Sequence, residues 1–187
     1  MIKKFFSYLK TIIIHKFWVF YYACICGIPW RGFWHDFSKL SPSEFFCNLK
    51  YFNGKQSPIA NCKEINGYSE AWLHHRGRNK HHYEYWFDNF DRGGTAVIMP
   101  YKYTVEMFCD YLAAGRAYMG KDFSFQKEYD WWVDKKTNIH AMHLVQKIFL
   151  TQMLYETAVY NKVPNRKRLK DYYNYTLRKY KNANKNR

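Results

Sequence analysis

The stretch AWLHHRGRNKHHYEYW, residues 71–86, is the part of the sequence around which the rest is organised. It carries four of the chain's eight histidines: His74, His75, His81 and His82. Apolar rings stand at both ends and no Gly-Pro pair interrupts it, which predicts a helix. Residues three and four positions apart share a face of a helix. His75, Asn79 and His82 would then form one arc, which suits a metal ion or an anionic substrate.

Helical patterns continue on both sides of this stretch. With 187 residues the chain is long enough for one domain with a sizeable core, and its 21% aromatic content argues against disorder up to about residue 160. We predict helices at residues 3–26, 30–39, 42–52, 70–86, 100–120, 124–136, 138–161 and 166–181. The segments 53–68 and 88–99 are predicted loops, and no strand pattern is convincing. The predicted fold class is all-α, a compact helical bundle.

The positive charge is concentrated at the end of the chain. The formal net charge is +15, and residues 162–187 hold ten Lys or Arg against one acid, Asp171. We therefore divide the chain into a helical domain at residues 1–161 and a basic C-terminal extension at residues 162–187. Such an extension is a candidate for nucleic-acid contact, although solvated basic ends often bind nothing specific.

Cysteines and apolar runs bear on the compartment. Five cysteines are odd in number and lack zinc-ribbon spacing, which favours a reducing, cytoplasmic setting. Near the N-terminus, the apolar run at residues 17–28 has 12 residues, whereas a bilayer span takes about 20. We therefore predict a buried core helix there and no membrane span.

Two further segments offer groups for chemistry. His35 and Asp36 are adjacent, and Lys39 lies one turn further on, where it could face an anion held by a metal. Ser41 and Glu44 are spaced as a helix-capping pair around Pro42. In the helix predicted at residues 100–120, the carboxylates of Glu106 and Asp110 are four apart and share a face.

These motifs carry a resemblance. H-D-F-S-K-L-S-P at residues 35–42, with His15 upstream, the histidine-rich stretch downstream and Asp110 later, resembles the HD-domain superfamily of all-helical metal-dependent phosphohydrolases. Ser38 stands where the H-D-x-G-K subgroup has glycine. A closer likeness is to a family of small, uncharacterised bacterial and phage proteins, over roughly residues 10–145. It rests on H-D-x-S-K-x-S-P-x-E-F, A-W-x-x-H-x-x-R-N-K-H-H-x-x-Y-W and M-P-x-x-Y-x-x-E-M-x-x-D-x-x-x-A-G-R-A.

The HD likeness implies a ligand set for one or two divalent ions, of manganese, iron, zinc, nickel or magnesium. The implied ligands are His15, His35, Asp36, His75, His82 and Asp110. Asp36 would bridge two ions, and Glu106 would act as a general base or as an acceptor behind a ligand. Because only 39 residues separate Asp36 from His75, His74 and His81 remain alternative ligands. His140, in an H-x-x-H pair with His143, is a further candidate.

The same likeness implies a phosphorylated substrate. The candidate groups for its phosphate are Lys39, Arg78, Lys80, His81 and Arg116, and Asn79 could orient a water or a histidine.

Three functions follow from the sequence. The leading one is a metal-dependent phosphohydrolase acting on a nucleotide, a cyclic nucleotide or another small phosphoester. The second is an HD-type di-iron oxygenase, because the same ligand order serves oxygen chemistry in some relatives. The third is a non-enzymatic protein that binds nucleic acid or a host partner through its basic extension.

Overall fold

The computed structural model describes residues 2–137 and 139–185, and it confirms the all-α class. The described helices are α1 Ile2–Ile25, α2 Pro29–Trp34, α3 Pro42–Tyr51, α4 Pro58–Asn66, α5 Glu70–Arg78, α6 Tyr101–Met119, α7 Phe125–Lys136, α8 Leu144–Val159 and α9 Arg166–Asn184. Short 3-10 turns cover Phe37–Leu40, Tyr83–Trp86, Phe90–Arg92 and Gly120–Asp122. The strands β1 Phe87–Asp88 and β2 Thr95–Ala96 pair antiparallel, with Phe87 opposite Ala96. Two ends of the domains assigned from the sequence lie outside the described residues. They are residue 1 of the domain at residues 1–161 and residues 186–187 of the extension at residues 162–187.

Helix α6 lies at the centre of the core. Buried side chains on α1, α6, α7 and α8 form one apolar cluster, which includes Val19, Phe108, Leu112, Trp132 and Phe149. Helix α2 packs closely on α1 at Gly32, where an added Cβ would lie 2.4 Å from the Cβ of Ala23. Glycine is therefore required at this crossing, because any larger residue would push the two helices apart.

The predicted loop at residues 53–68 is wrong, because it contains α4. Pro58 stands in its first turn, and Gly67 ends it in the left-handed conformation with φ 77°. The helix is short and mostly polar, so its apolar periodicity is weak. It buries Pro58 and Cys62 against the rest of the fold.

Two predicted helices end earlier than expected. The helix predicted at 30–39 stops at Trp34, and the chain then turns at Asp36, which has φ 51°. The helix predicted at 70–86 stops at Arg78, so Asn79 and His82 are not on one helical arc. In both places the turn directs buried polar side chains inward.

The helix predicted at 138–161 begins only at Leu144, and residue 138 is outside the described part. His143 is its N-cap, because Nδ1 of His143 accepts a hydrogen bond from the backbone N–H of Val145 at 3.1 Å.

Helix α9 covers most of the basic extension and packs on the other helices. Leu169 and Tyr173 are buried, and the Tyr173 hydroxyl donates a hydrogen bond to the backbone oxygen of Met99 at 2.5 Å. Arg168 pairs with Glu156 of α8. Among the described helices, none is long and apolar enough to cross a membrane.

Candidate metal centre

Seven side chains from five parts of the chain meet in the interior. His15 comes from α1, Asp110 from α6 and His75 from α5. His35 and Asp36 lie in the turn after α2, and His81 and His82 lie in the loop after α5. Six of the seven are buried, and His82 is partly exposed. The turns that shorten the predicted helices therefore place four of these groups in the cluster.

The seven side chains form two groups that share Asp36. One group is His15, His35, Asp36 and Asp110, and the other is Asp36, His75, His81 and His82. Oδ2 of Asp36 faces the first group, with Nε2 of His35 at 3.2 Å and Nε2 of His15 at 4.0 Å. Oδ1 faces the second group, with Nε2 of His75 at 3.2 Å and Nε2 of His81 at 3.3 Å. Each carboxylate oxygen of Asp36 thus belongs to a different group.

The spacing of these atoms fits metal coordination. Ligands bound to one ion at about 2.1 Å lie about 3.0–3.4 Å from one another, depending on the geometry. Nε2 of His15 lies 3.1 Å from Oδ1 of Asp110, and Nε2 of His35 lies 3.5 Å from the same oxygen. Most separations across Asp36 fall in the same range.

The hydrogen-bonding state of the cluster points the same way. Among the described residues, ten buried side-chain N or O atoms make no hydrogen bond of good geometry. Seven of them belong to this cluster: Nε2 of His15, His35, His75, His81 and His82, and both carboxylate oxygens of Asp36. Buried polar groups are rarely left without partners, because each one costs free energy. Although Oδ2 of Asp36 also pairs with the Lys39 ammonium, the other six atoms lie side by side and fit a site built for a cation.

The backbone at Asp36 explains how one residue faces both groups. Its φ of 51° is in the left-handed region, which few non-glycine residues other than Asn and Asp adopt. Lys16 supports the turn, because its Nζ donates a hydrogen bond to the backbone oxygen of His35 at 2.5 Å. The chain thereby turns the fully buried Asp36 carboxylate between the histidines of α1 and those after α5.

Two glutamates orient the histidines from behind. Oε2 of Glu44 lies 2.7 Å from Nδ1 of His75, and Oε1 of Glu106 lies 3.2 and 3.4 Å from Nδ1 of His35 and His81. A carboxylate only accepts hydrogen bonds, so Nδ1 of each ring carries the proton and Nε2 is free to bind a metal. Arg31 pairs with the other oxygen of Glu106 at 2.5 Å.

The charges in the site favour a bound cation. Burial opposes ionisation, but His35 and His75 hold the pKa of Asp36 well below its usual value. Burial would also raise the pKa of Glu106, yet hydrogen bonds from His35 and His81 lower it to about 2. Burial and His81 hold the pKa of His82 well below its usual value, so this ring is neutral. Burial lowers the pKa of His35 and of His75, but Asp36 raises it above the usual value, so a metal ion would displace a proton from each of these two rings on binding.

A cavity of about 230 Å³ adjoins the cluster. His15, His75, His82 and Asp110 form its floor, and its walls carry the aromatic rings of Tyr8, Trp72, Tyr111, Tyr118 and Trp131. Lys39 is the one Lys or Arg among the described residues that line it, and Nζ of Lys39 lies 2.5 Å from Oδ2 of Asp36. Burial lowers the pKa of Lys39, but the carboxylates of Asp36 and Asp110 raise it by more, so the ammonium stays charged.

The structure brings together all six metal ligands named from the sequence and adds the alternative His81. His74 stays outside both groups, where its Nδ1 lies 2.6 Å from Oε1 of Glu44. Asn79 orients a histidine and a serine, because its amide donates to Ser38 Oγ and to the backbone oxygen of His75, both at 2.8 Å. His140 is exposed and belongs to neither group.

Three of the residues named for phosphate binding are not at the cavity. Arg78 and Lys80 are exposed and do not line it. Arg116 lies elsewhere, where its guanidinium stacks over the rings of Trp18 and Phe123 and donates to the Tyr22 hydroxyl at 3.0 Å. His81 is buried and does not line the cavity. Of the named groups, Lys39 alone reaches the cavity with a positive charge.

Sequence reasoning assigned Glu44 the wrong contact. We expected it to cap α3 with Ser41, but Ser41 makes no capping bond. Glu44 is instead completely buried and binds both His74 and His75. Its position in the motif H-D-x-S-K-x-S-P-x-E-F, nine residues after His35, is the signal that could have revealed this contact.

Glu106→Gln tests the supporting layer. We expect the affinity for the metal to fall about 10- to 100-fold, because the amide holds the imidazoles of His35 and His81 less firmly than the carboxylate. Competition with a chelator, followed by metal analysis, measures the change. The matched control is Glu156→Gln, which removes a glutamate paired with Arg168 far from the cluster and should leave metal affinity unchanged. Equal affinities in the two variants would contradict the role given to Glu106.

Comparison with known proteins gives one match. The model of a family of unknown function (DUF5662) matches residues 4–157. No curated protein and no solved structure matches the chain. The matched range includes all seven clustered residues and both supporting glutamates.

Proposed function

Because the chain belongs to a family of unknown function (DUF5662), we propose its activity from the site itself: it is a metal-dependent phosphohydrolase acting on a nucleotide or another small phosphoester. One observation carries this proposal. Two groups of metal-binding side chains share Asp36, and a cavity with a single ammonium group opens directly onto them. A phosphate in that cavity would meet the cluster on one side and Lys39 on the other.

The residues present suit two divalent ions. His15, His35, Asp36 and Asp110 would hold one, and Asp36, His75, His81 and His82 the other. Such ions lower the pKa of a bound water toward neutrality and polarise a phosphoryl oxygen. The mix of imidazole and carboxylate ligands suits zinc, iron, nickel or manganese better than magnesium, which prefers oxygen. We infer that the site holds one of these four metals.

The side chains around the cluster perform the remaining tasks. Lys39 binds the phosphate through its charge, since an ammonium is a strong donor to phosphate oxygens. The aromatic walls take up the apolar part of the substrate and exclude water from it. Glu106 and Glu44 fix the ligand imidazoles, and Glu106 is therefore a positioning residue and not a general base.

We propose as well that the chain is related to the HD-domain superfamily. The order of the clustered residues along the chain is His, His-Asp, histidines, then Asp, as in that superfamily. We also infer a reducing, cytoplasmic setting, which the five free cysteines support.

Metal analysis followed by activity assays tests the proposal. We expect the purified protein to retain a transition metal and, loaded with it, to release phosphate from nucleoside monophosphates, cyclic nucleotides or p-nitrophenyl phosphate. Removing the metal should abolish release, and adding it back should restore it. Oxygen consumption by the iron-loaded protein, without phosphate release, would instead establish the oxygenase. A protein that retains no metal would refute both.

A further inference from the structure

The outer surface of α1 and α2 exposes many large apolar side chains. Four rings in and after α2 form a chain of contacts, with centroids 6.4 Å apart for Trp30 and Phe33, 5.2 Å for Phe33 and Trp34, and 5.0 Å for Trp34 and Phe37. Trp30 is 76% exposed and Trp34 is 60% exposed. These rings are ordered by one another but are not covered by any described part of the chain.

Helix α1 extends this surface. Its buried face carries Tyr8, Ile12, His15 and Val19, whereas Ile13, Phe17 and Phe20 are exposed on the opposite side. The close crossing at Gly32 brings α2 against the backbone of Phe20, so the two exposed sets adjoin. We call Ile13, Phe17, Phe20, Trp30, Phe33, Trp34 and Phe37 the aromatic patch. Contiguous exposed apolar surface of this kind marks an interaction site.

The α1–α2 segment that carries most of the aromatic patch is basic, and one of its cations, Arg31, is paired with Glu106 of α6. Residues 1–35 contain Lys3, Lys4, Lys10, Lys16 and Arg31 and no Asp or Glu. The next two acids along the chain, Asp36 and Glu44, are buried and contact histidines. Nζ of Lys16 lies 4.5 Å from the ring centre of Phe37, which places a cation at the border of the patch.

We propose that the aromatic patch docks this protein on an anionic lipid bilayer. A helix with exposed Trp and Phe beside Lys lies flat in a membrane interface, with its rings among the acyl chains and its cations near the headgroups. The positive charge of this segment favours a bilayer as the partner, because the negative surface of a bilayer complements a segment without any exposed acid.

Docking would leave the cavity open to water. The cavity is lined by Tyr8, Ile12 and His15, which lie on the face of α1 opposite Ile13 and Phe17. The bilayer would therefore recruit the protein without covering the metal centre, and the substrate would come from solution. The docking proposal itself does not depend on the proposed hydrolase activity.

Co-sedimentation with vesicles tests the proposal. We expect the full chain to bind vesicles of phosphatidylcholine and phosphatidylglycerol at least about tenfold more tightly than phosphatidylcholine alone. Trp30→Ser with Trp34→Ser should weaken binding about tenfold or more, because two interfacial anchors are lost. Lys3→Gln with Lys10→Gln should weaken vesicle binding about fivefold per lysine, and added salt should also weaken it.

The matched control changes two equally exposed apolar residues elsewhere. Ile65 of α4 is 70% exposed and Phe90 is 66% exposed, so Ile65→Ser with Phe90→Ser should leave vesicle binding unchanged. Thermal melting of each variant verifies its fold. Wild-type binding by the double tryptophan variant would overturn the proposal. Sedimentation showing a dimer that these two substitutions dissociate, with no vesicle binding, would also overturn it in favour of a second copy of this chain.

Discussion

Asp36→Asn is expected to prevent binding of the two proposed metal ions and to abolish the proposed phosphohydrolase activity. Each oxygen of Asp36 faces a different group of histidines, so the loss of its charge weakens both sites at once. We expect phosphate release to fall by at least about 10³-fold, because both activation of water and polarisation of the phosphoryl group are lost. Elemental analysis of the variant, purified like the wild type, measures the loss of metal.

Asparagine is the best substitution for this test. It has nearly the same size as aspartate and also tolerates the left-handed backbone conformation, which Asp36 adopts with φ 51°. The helical circular dichroism spectrum is therefore expected to be unchanged. Asp130→Asn, at an exposed position on α7, is the control and should keep full metal content. Wild-type metal content in Asp36→Asn would refute the shared role of Asp36.

The ligand types and their order could be predicted from the sequence, because the motifs can be recognised even where the predicted helix ends are wrong. Glu106 and Asp110 share a face of α6, as their four-residue spacing predicts, and they reach the cluster together. His75 and His82 also converge, although not for the predicted reason. They meet because the chain turns after Arg78, and not because one helix aligns them.

The turns themselves could not be predicted from local patterns. Asp36 adopts its left-handed conformation where its carboxylate is buried among four histidines from distant segments. Asn79 ends α5 while its amide donates hydrogen bonds to Ser38 and to His75. In both cases a tertiary contact decides the backbone, so propensity within a short window carries no signal of it.

The placement of Arg116 could have been predicted from helical geometry. It lies six positions after Asp110, and at 100° per residue the two side chains point about 120° apart around α6. A residue so placed faces away from the metal centre, where Arg116 stacks on Trp18. The motif likeness suggested a phosphate-binding arginine, but the helical periodicity already argued against it.

Lys39→Met is expected to separate phosphate binding from metal binding. Methionine keeps the length and apolar stem of lysine and removes the charge. We expect kcat/KM for a phosphomonoester to fall about 10²- to 10³-fold, because a partly buried ammonium interacts strongly with phosphate oxygens in the transition state. Metal content should remain, because Lys39 belongs to neither group of ligands.

Lys80→Met is the matched control, since Lys80 is the exposed lysine that the sequence also suggested for phosphate binding. Its kcat/KM should equal that of the wild type. The opposite result is expected if Lys39 only balances the charge of Asp36. Metal affinity would then change, because the ion pair at 2.5 Å is lost, and kcat/KM at saturating metal would stay constant. The ratio of the two effects therefore decides between a lysine that binds substrate and one that stabilises the cluster.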